Sequence, residues 1–139
     1  MDRDMIREIL ETMDQPMYEF FKELETVPKR TLVFSGPFDI PRKADITVTN
    51  VTERPRMFSA VTTASHMLDI DGSRAYLKAR NSTTIHITLR PNTAHIGTTE
   101  YIVISHVCAA AYDGNQFNAT YFENCFETRR IALVVEFKV

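Results

Sequence analysis

At 139 residues, with 44% hydrophobic and 24% charged side chains, the chain has the make-up of one globular domain plus a short extension, long enough to bury a core without disulfide or metal staples. A net charge of −2 argues against a nucleic-acid binder, which needs a clustered basic face. No apolar run approaches the roughly 18 residues of a membrane span, and the start, MDRDMIREIL, is acidic where a secretory leader is basic. These features predict a cytoplasmic protein without direct membrane insertion. Cys108 and Cys125 are then expected to stay reduced, and the sequons at Asn50, Asn81 and Asn118 to stay unmodified.

Charge is unevenly spread. Residues 1–27 hold eight acidic and three basic side chains, a balance of −5; the remainder holds 13 basic and 10 acidic, a balance of +3. The two parts are expected to attract each other or to meet different partners.

Residues 3–25 read as helix. Ile6, Ile9, Leu10, Met13, Met17, Phe20, Phe21 and Leu24 recur at three-and-four spacing and make one apolar stripe. Pro16 lacks the backbone N–H a helix interior needs, so two short helices are predicted, the second opening near Asp14–Pro16. The stripe needs a partner, either its own domain or a second copy, and Phe20, Phe21 and Leu24 are the expected helical interface. Pro28 ends the extension, giving a boundary between residues 1–27 and 28–139.

After Pro28 the pattern changes to period two. Thr31–Ser35 is the first predicted strand, and Gly36–Lys43, with two prolines, is a turn-rich loop. Ile46–Thr49 alternates apolar and polar, Asn50–Pro55 turns the chain, and Met57–Thr63 follows as a strand. With Phe58 and Ala60 inward, Ser59 and Val61 face outward. Leu68–Leu77 contains the turn signal Asp71-Gly72. In Thr83–Arg90, Ile85, Ile87 and Leu89 share one face. Thr98–Val107 is apolar on both faces, as a central strand is. Ala109–Phe126 is irregular and holds an aromatic cluster of Phe117, Tyr121, Phe122 and Phe126. Ile131–Val139 closes the chain. About seven strands without interleaved helices predict an all-β sandwich.

The stretch Ala44–Thr63, ADITVTNVTERPRMFSAVTT, carries a family resemblance. Ile46 and Val48 lead to Asn50, a polar turn runs through Thr52–Arg54, and a second strand carries Phe58 and closes on Thr62-Thr63. Upstream, Gly36-Pro37-Phe38-Asp39 makes a small residue-Pro-aromatic-Asp turn in the same register. Together these features resemble the major sperm protein (MSP) domain, over roughly Pro28–Val139. The resemblance implies an immunoglobulin-like, seven-stranded antiparallel β-sandwich (MSP/PapD-like) with an N-terminal helical extension outside it.

The resemblance also implies interaction rather than catalysis. Nematode sperm members form symmetric dimers and filaments that drive amoeboid crawling. Membrane-anchored relatives, the vesicle-associated membrane protein-associated proteins, bind acidic two-phenylalanine peptides on one sheet face. They use lysines just before the Thr-Thr pair, where this chain has Ser59 and Val61. Ser59, Val61, Thr62 and Thr63 are therefore the expected protein-interaction face. The implied role is a non-enzymatic accessory or regulatory protein of the MSP filament cytoskeleton. Its expected partners are MSP filaments or other MSP-domain proteins, and a homodimer is allowed. The alternative is a peptide-binding adaptor. Glu19–Glu25, EFFKELE, itself resembles the acidic peptide, although its helical pattern favours burial of Phe20 or Phe21.

No chemistry-bearing constellation competes with that reading. His66, His86, His95 and His106 lack close metal-ligand spacing, and neither cysteine sits in a CxxC pair. His86 is expected to be a solvated strand histidine. His106 and Cys108 share a strand face but lack an oxyanion hole or orienting acid. There is no GxSxG, no P-loop and no Gly-rich cradle. No catalytic residue, metal or cofactor is expected.

Overall fold

The computed structural model describes residues 2–139. The N-terminal stripe forms α1 (Arg3–Met13), capped by the Asp2 side chain, which accepts a hydrogen bond from the Asp4 N–H at 2.9 Å. A short α2 (Tyr18–Phe21) follows the Pro16 break. Nine strands then appear among the described residues: β1 (Leu24–Val27), β2 (Thr31–Ser35), β3 (Arg42–Asn50), β4 (Arg56–Thr62), β5 (Leu68–Asp71), β6 (Arg74–Leu77), β7 (Ser82–Leu89), β8 (Thr99–Cys108) and β9 (Arg129–Lys138). A one-turn helix, α3 (Ala119–Glu123), lies between β8 and β9.

The strands make two stacked sheets, ordered β1-β3-β7-β5 and β2-β9-β8-β4-β6. Ile46, Val48, Ile85 and Ile87 from the first sheet meet Phe58, Ile102, Ile104, Leu133 and Val135 from the second in one core. This is the expected immunoglobulin-like sandwich, with three differences of detail. β2 pairs with β9 in parallel, Thr31 opposite Val134, so the sheets are not wholly antiparallel. Leu68–Leu77, read from its Asp71-Gly72 signal as a turn-bearing stretch, is two strands in different sheets: β5 pairs with β7, and β6 pairs with β4. Gly72 lies at the crossing with φ +77°, and a Cβ there would stand 3.1 Å from the Thr84 carbonyl oxygen.

The third difference concerns the domain edge. The helix expected to run through Leu24 stops at Phe21, and Leu24–Val27 is the first strand, paired with Thr47–Asn50. Leu24 is 1% exposed in the sandwich core, so it is not part of a helical interface. The sandwich therefore begins before Pro28. Strand pairing with β3 satisfies the backbone of 24–27 and buries Leu24 and Thr26 while Glu25 and Val27 face out.

α1 packs on its own chain, against the outer face of the five-stranded sheet. Ile6 is fully buried against Val103 and Ala132, with Ile9, Leu10 and Tyr101 around it. Met13 reaches the main core. Arg3 bonds the Glu100 carboxylate at 3.1 Å and lies over the Tyr101 ring. At the other end, Arg30 donates to the Met13 carbonyl at 2.7 Å and pairs with Asp14, placing a cation at the negative end of the helix. Glu19 pairs with Lys29. Asp14 and Glu19 thus meet basic residues of the sandwich, one of the two outcomes expected from the charge asymmetry.

Ile6→Ala leaves a void under α1 and is expected to destabilise the chain by about 2–4 kcal/mol, within the range for deleting a buried aliphatic side chain. Urea denaturation followed by circular dichroism measures the loss.

Candidate functional site

The outer face of the five-stranded sheet is covered at both ends. α1 lies over Val103 and Ala132 at one end. At the other, the 109–125 segment covers Met57, Val107 and Ala109 with Tyr112, Phe117, Tyr121 and Phe122. Tyr112 packs at a tilt against Tyr121 and Phe117 against Phe122, with ring centroids 5.1 and 5.3 Å apart. The Tyr121 hydroxyl donates to the Cys108 carbonyl at 2.9 Å. Phe126, expected in this cluster, instead points wholly into solvent.

Between these covers Ser59 is half-buried and Val61 is 45% exposed. The two threonines beside them are already engaged. The Thr62 hydroxyl donates to the Tyr101 carbonyl at 2.9 Å and accepts from the Ala64 N–H. The Thr63 hydroxyl donates to Glu100 at 2.7 Å and accepts from the Tyr101 N–H. Thr62 and Thr63 thus close the corner after β4, and Ser59 and Val61 are left as the open part of the face. Phe20 and Phe21, on α2, stand 76% and 64% exposed, contrary to the burial favoured by the helical pattern.

A polar cluster lies at the end of the sandwich, where Arg56 of β4 is opposite Cys108 and Phe58 is opposite His106. Side chains at 56 and 106 point inward, because they share strand parity with the core residues Phe58 and Ile104. Arg56 is 3% exposed and needs partners there. Its Nη1 donates to Glu23 at 2.7 Å, and its Nε and Nη2 donate to His106 Nδ1 at 3.1 and 2.9 Å. Arg129 of β9 bonds the other Glu23 oxygen at 2.7 Å. Burial pulls the Arg56 guanidinium down from its ordinary value and Glu23 opposes the shift.

The network sets the state of His106. A guanidinium has donors and no acceptor, so Nδ1 must offer its lone pair and the ring proton sits on Nε2. Burial, then the charges of Arg56 and Arg129, pushes His106 down to about 3. It is a neutral ring at neutral pH and a poor base. No hydrogen bond joins it to Cys108 among the described residues, so the shared strand face does not make a nucleophile–base pair. His86, by contrast, is the solvated strand histidine expected, with Nδ1 2.8 Å from Asp45. Among the described residues no three His, Cys, Asp or Glu side chains are placed to hold a metal ion, and no helix is long and apolar enough to cross a membrane.

The sequence matches the MSP (Major sperm protein) domain over residues 23–127. The chain belongs to the MSP domain family. The match begins at Glu23, one residue before β1. Among solved structures, the fold is similar to that of WR4, a Caenorhabditis elegans MSP family member, at TM-score 0.63 and 10% identity, covering 82% of this chain and 98% of that one. It is likewise similar to SSP-19, an MSP-domain protein like family member of the same nematode, at TM-score 0.60 and 13% identity, covering 81% and 98%. A PapD-like domain of human CEP192 matches at TM-score 0.52 and 7% identity, covering 83% of each chain. At such identities the likeness shows the fold. No curated protein sequence gives a significant match. The family is one whose members are typically non-enzymatic.

The position of Arg56 and His106 was missed in the sequence, although one signal existed. Arg56 precedes an alternation that puts Phe58 and Ala60 inward, and extending it by one step places position 56 in the core.

Two outcomes test the cluster. Glu23→Ala strands the buried Arg56 charge and is expected to cost about 3 kcal/mol in urea denaturation, the lower end for breaking a buried pair, since Glu23 is a quarter exposed. His106 gives a pH dependence. Between pH 6.5 and about 3 the unfolded ring binds a proton that the folded one, facing Arg56 and Arg129, refuses. Its contribution is intact above pH 6.5 and is lost as pH falls through that window, by up to about 1.4 kcal/mol per unit. Urea midpoints from pH 7 to 4 are expected to fall less steeply in His106→Gln than in the parent chain.

Proposed function

We propose that this MSP-domain protein is a non-enzymatic accessory or regulatory component of the MSP filament cytoskeleton in amoeboid nematode sperm, acting in the cytoplasm by contact with MSP filaments or another MSP-domain protein. The observation that carries the reading is the exposed aromatic end of the helical extension. Met17, Phe20 and Phe21 stand more than half exposed together on and beside α2, though the rest of the extension is fastened to the sandwich. A cluster of large apolar side chains held open beside a rigid domain marks a protein contact. Family membership and the fold likeness to two nematode MSP-family structures support the choice of partner.

The open strip of the sheet is the second contact element. Ser59 and Val61 present a small, uncharged surface between α1 and the aromatic cap, suited to packing against another sandwich. The peptide-adaptor alternative has less support. Neither Ser59 nor Val61 offers a charge to an acidic peptide, the Thr62 and Thr63 hydroxyls are engaged within the chain, and α1 occupies the adjoining face.

Co-sedimentation with filaments assembled from a nematode major sperm protein tests the role. The intact chain is expected to pellet with filaments, and Phe20→Ser, which alters an exposed ring, is expected to weaken binding by about tenfold if that ring is buried at the contact. A chain that stays in the supernatant at every filament concentration overturns the reading.

A further inference from the structure

The sequence has two Asp-Gly steps, Asp71-Gly72 and Asp113-Gly114, and the fold holds them differently. At such a step the glycine backbone nitrogen can attack the aspartate Cγ, because no Cβ on the glycine obstructs the approach. The attack needs an aspartate carboxyl free of partners and a glycine nitrogen free of a hydrogen bond. It also needs room for the aspartate ψ to turn until the two atoms meet.

Asp71-Gly72 lacks that room. Asp71 ends β5 opposite His86, and Gly72 is held at φ +77°. The Ser73 carbonyl accepts from the Ala60 N–H at 2.7 Å, and Arg74 already lies in β6 opposite Ser59. One ladder ends and the next begins within two residues, so turning the Asp71 ψ requires opening a sheet edge.

Asp113-Gly114 meets every requirement. It lies in the segment between β8 and α3, which is tied at both ends. The Tyr112 N–H donates to the Ala109 carbonyl at 3.1 Å, and the Asn118 side chain caps α3. Between these ties residues 113–116 are exposed and make no hydrogen bond among the described residues, and the Asp113 carboxylate has no ionic partner there. A Cβ on Gly114 would stand 2.5 Å from the Tyr112 ring, which is itself packed on Tyr121. The aromatic cap thus leaves no room for a side chain at 114, and the backbone nitrogen stays open to attack.

We propose that Asp113 is a site of spontaneous isomerisation to isoaspartate. The Gly114 nitrogen bonds to the Asp113 Cγ and loses its proton, and the carboxyl hydroxyl leaves with that proton as water, closing a succinimide. Water then adds to one of the two ring carbonyls. Breaking the new Cγ–N bond restores aspartate, whereas breaking the original peptide C–N bond gives isoaspartate. No oxidant is needed and the net mass is unchanged. In the product the main chain runs through the Asp113 Cβ and Cγ, and the former peptide carbonyl becomes a free carboxylate. One methylene therefore enters the main chain between Tyr112 and Phe117, whose rings cover the outer sheet face at Met57 and Val107. The free carboxylate is the group that a carboxyl methyltransferase esterifies with the methyl of S-adenosylmethionine. Loss of methanol then re-forms the succinimide, so the site is open to enzymatic repair. Asp113 and Gly114 belong to neither surface assigned to filament contact, and their chemistry is the same whether or not the chain binds filaments.

Incubating the folded full chain at physiological pH and temperature in water enriched in heavy oxygen tests the site, because each ring opening leaves one solvent oxygen on the residue. Mass spectrometry of proteolytic peptides is expected to show label at Asp113 exceeding that at Asp71 by at least about tenfold, since Asp71 reacts only when the β5 edge opens. A separately eluting isoaspartyl isomer of the Asp113 peptide is expected alongside it. In guanidinium chloride, with both ladders gone, the two sites are expected to label at similar rates. Asp113→Glu, which lengthens an exposed side chain without partners, is expected to keep the parent urea midpoint and to lose the label at 113. The aged parent chain, unlike the fresh one, is expected to accept a labelled methyl group from S-adenosylmethionine through an isoaspartyl carboxyl methyltransferase. Any one of four results overturns the proposal: a folded chain without label at 113, equal labelling of 113 and 71 in the folded chain, label that persists in Asp113→Glu, or an aged chain that takes no methyl group.

Discussion

Arg56 brings a permanent charge into the end of the sandwich, and the surrounding architecture answers it. Glu23 supplies the counter-charge from just before β1, His106 supplies a neutral acceptor from β8, and Arg129 of β9 holds the second oxygen of Glu23. Four side chains from both sheets are joined where the hydrophobic core runs out. A buried guanidinium adds little net stability over a well-packed apolar group, but it tolerates few arrangements of its neighbours. The cluster is better understood as fixing how β1, β4, β8 and β9 meet than as a source of stability.

That constraint reaches the helical extension. Glu23 stands directly between α2 and β1, so its bonds to Arg56 and Arg129 anchor the point where helix becomes strand. α1 is secured separately by Ile6 on Val103 and Ala132, and by Arg3 and Arg30 near its two ends. Tyr18 is half-buried against the core, and burial raises its phenol above the ordinary value while Arg30 opposes the shift. The part of the extension left open is its apolar tip, Met17, Phe20 and Phe21. An element pinned at several points with its aromatic tip free suits a preformed contact, since little ordering entropy remains to be lost on binding.

Much of the outer sheet surface is closed by the chain's own segments. α1 and the aromatic cap cover its two ends, and Thr62 and Thr63 are committed to the corner at Glu100 and Tyr101. On this face the strip at Ser59 and Val61 is left open, beside the exposed apolar edge around α2.

Local alternation made much of the sandwich legible. The repeats in β7 and β9, the doubly apolar β8 and the spaced features from Ser35 to Thr63 determine strand character and family without knowledge of pairing, because side-chain period is a property of each strand alone. Three features were decided only by tertiary structure. Leu24 continues a helical stripe in sequence, yet pairing with Asn50 makes it a strand residue. Asp71-Gly72 signals a turn, but only the positions of β4 and β7 divide its flanks between sheets. Arg56 and His106 lie fifty residues apart, and neither position alone predicts an arginine bonded to an imidazole lone pair. Periodicity records which way a side chain points, whereas these outcomes depend on what distant segment stands opposite it, and that is set only when the two sheets close.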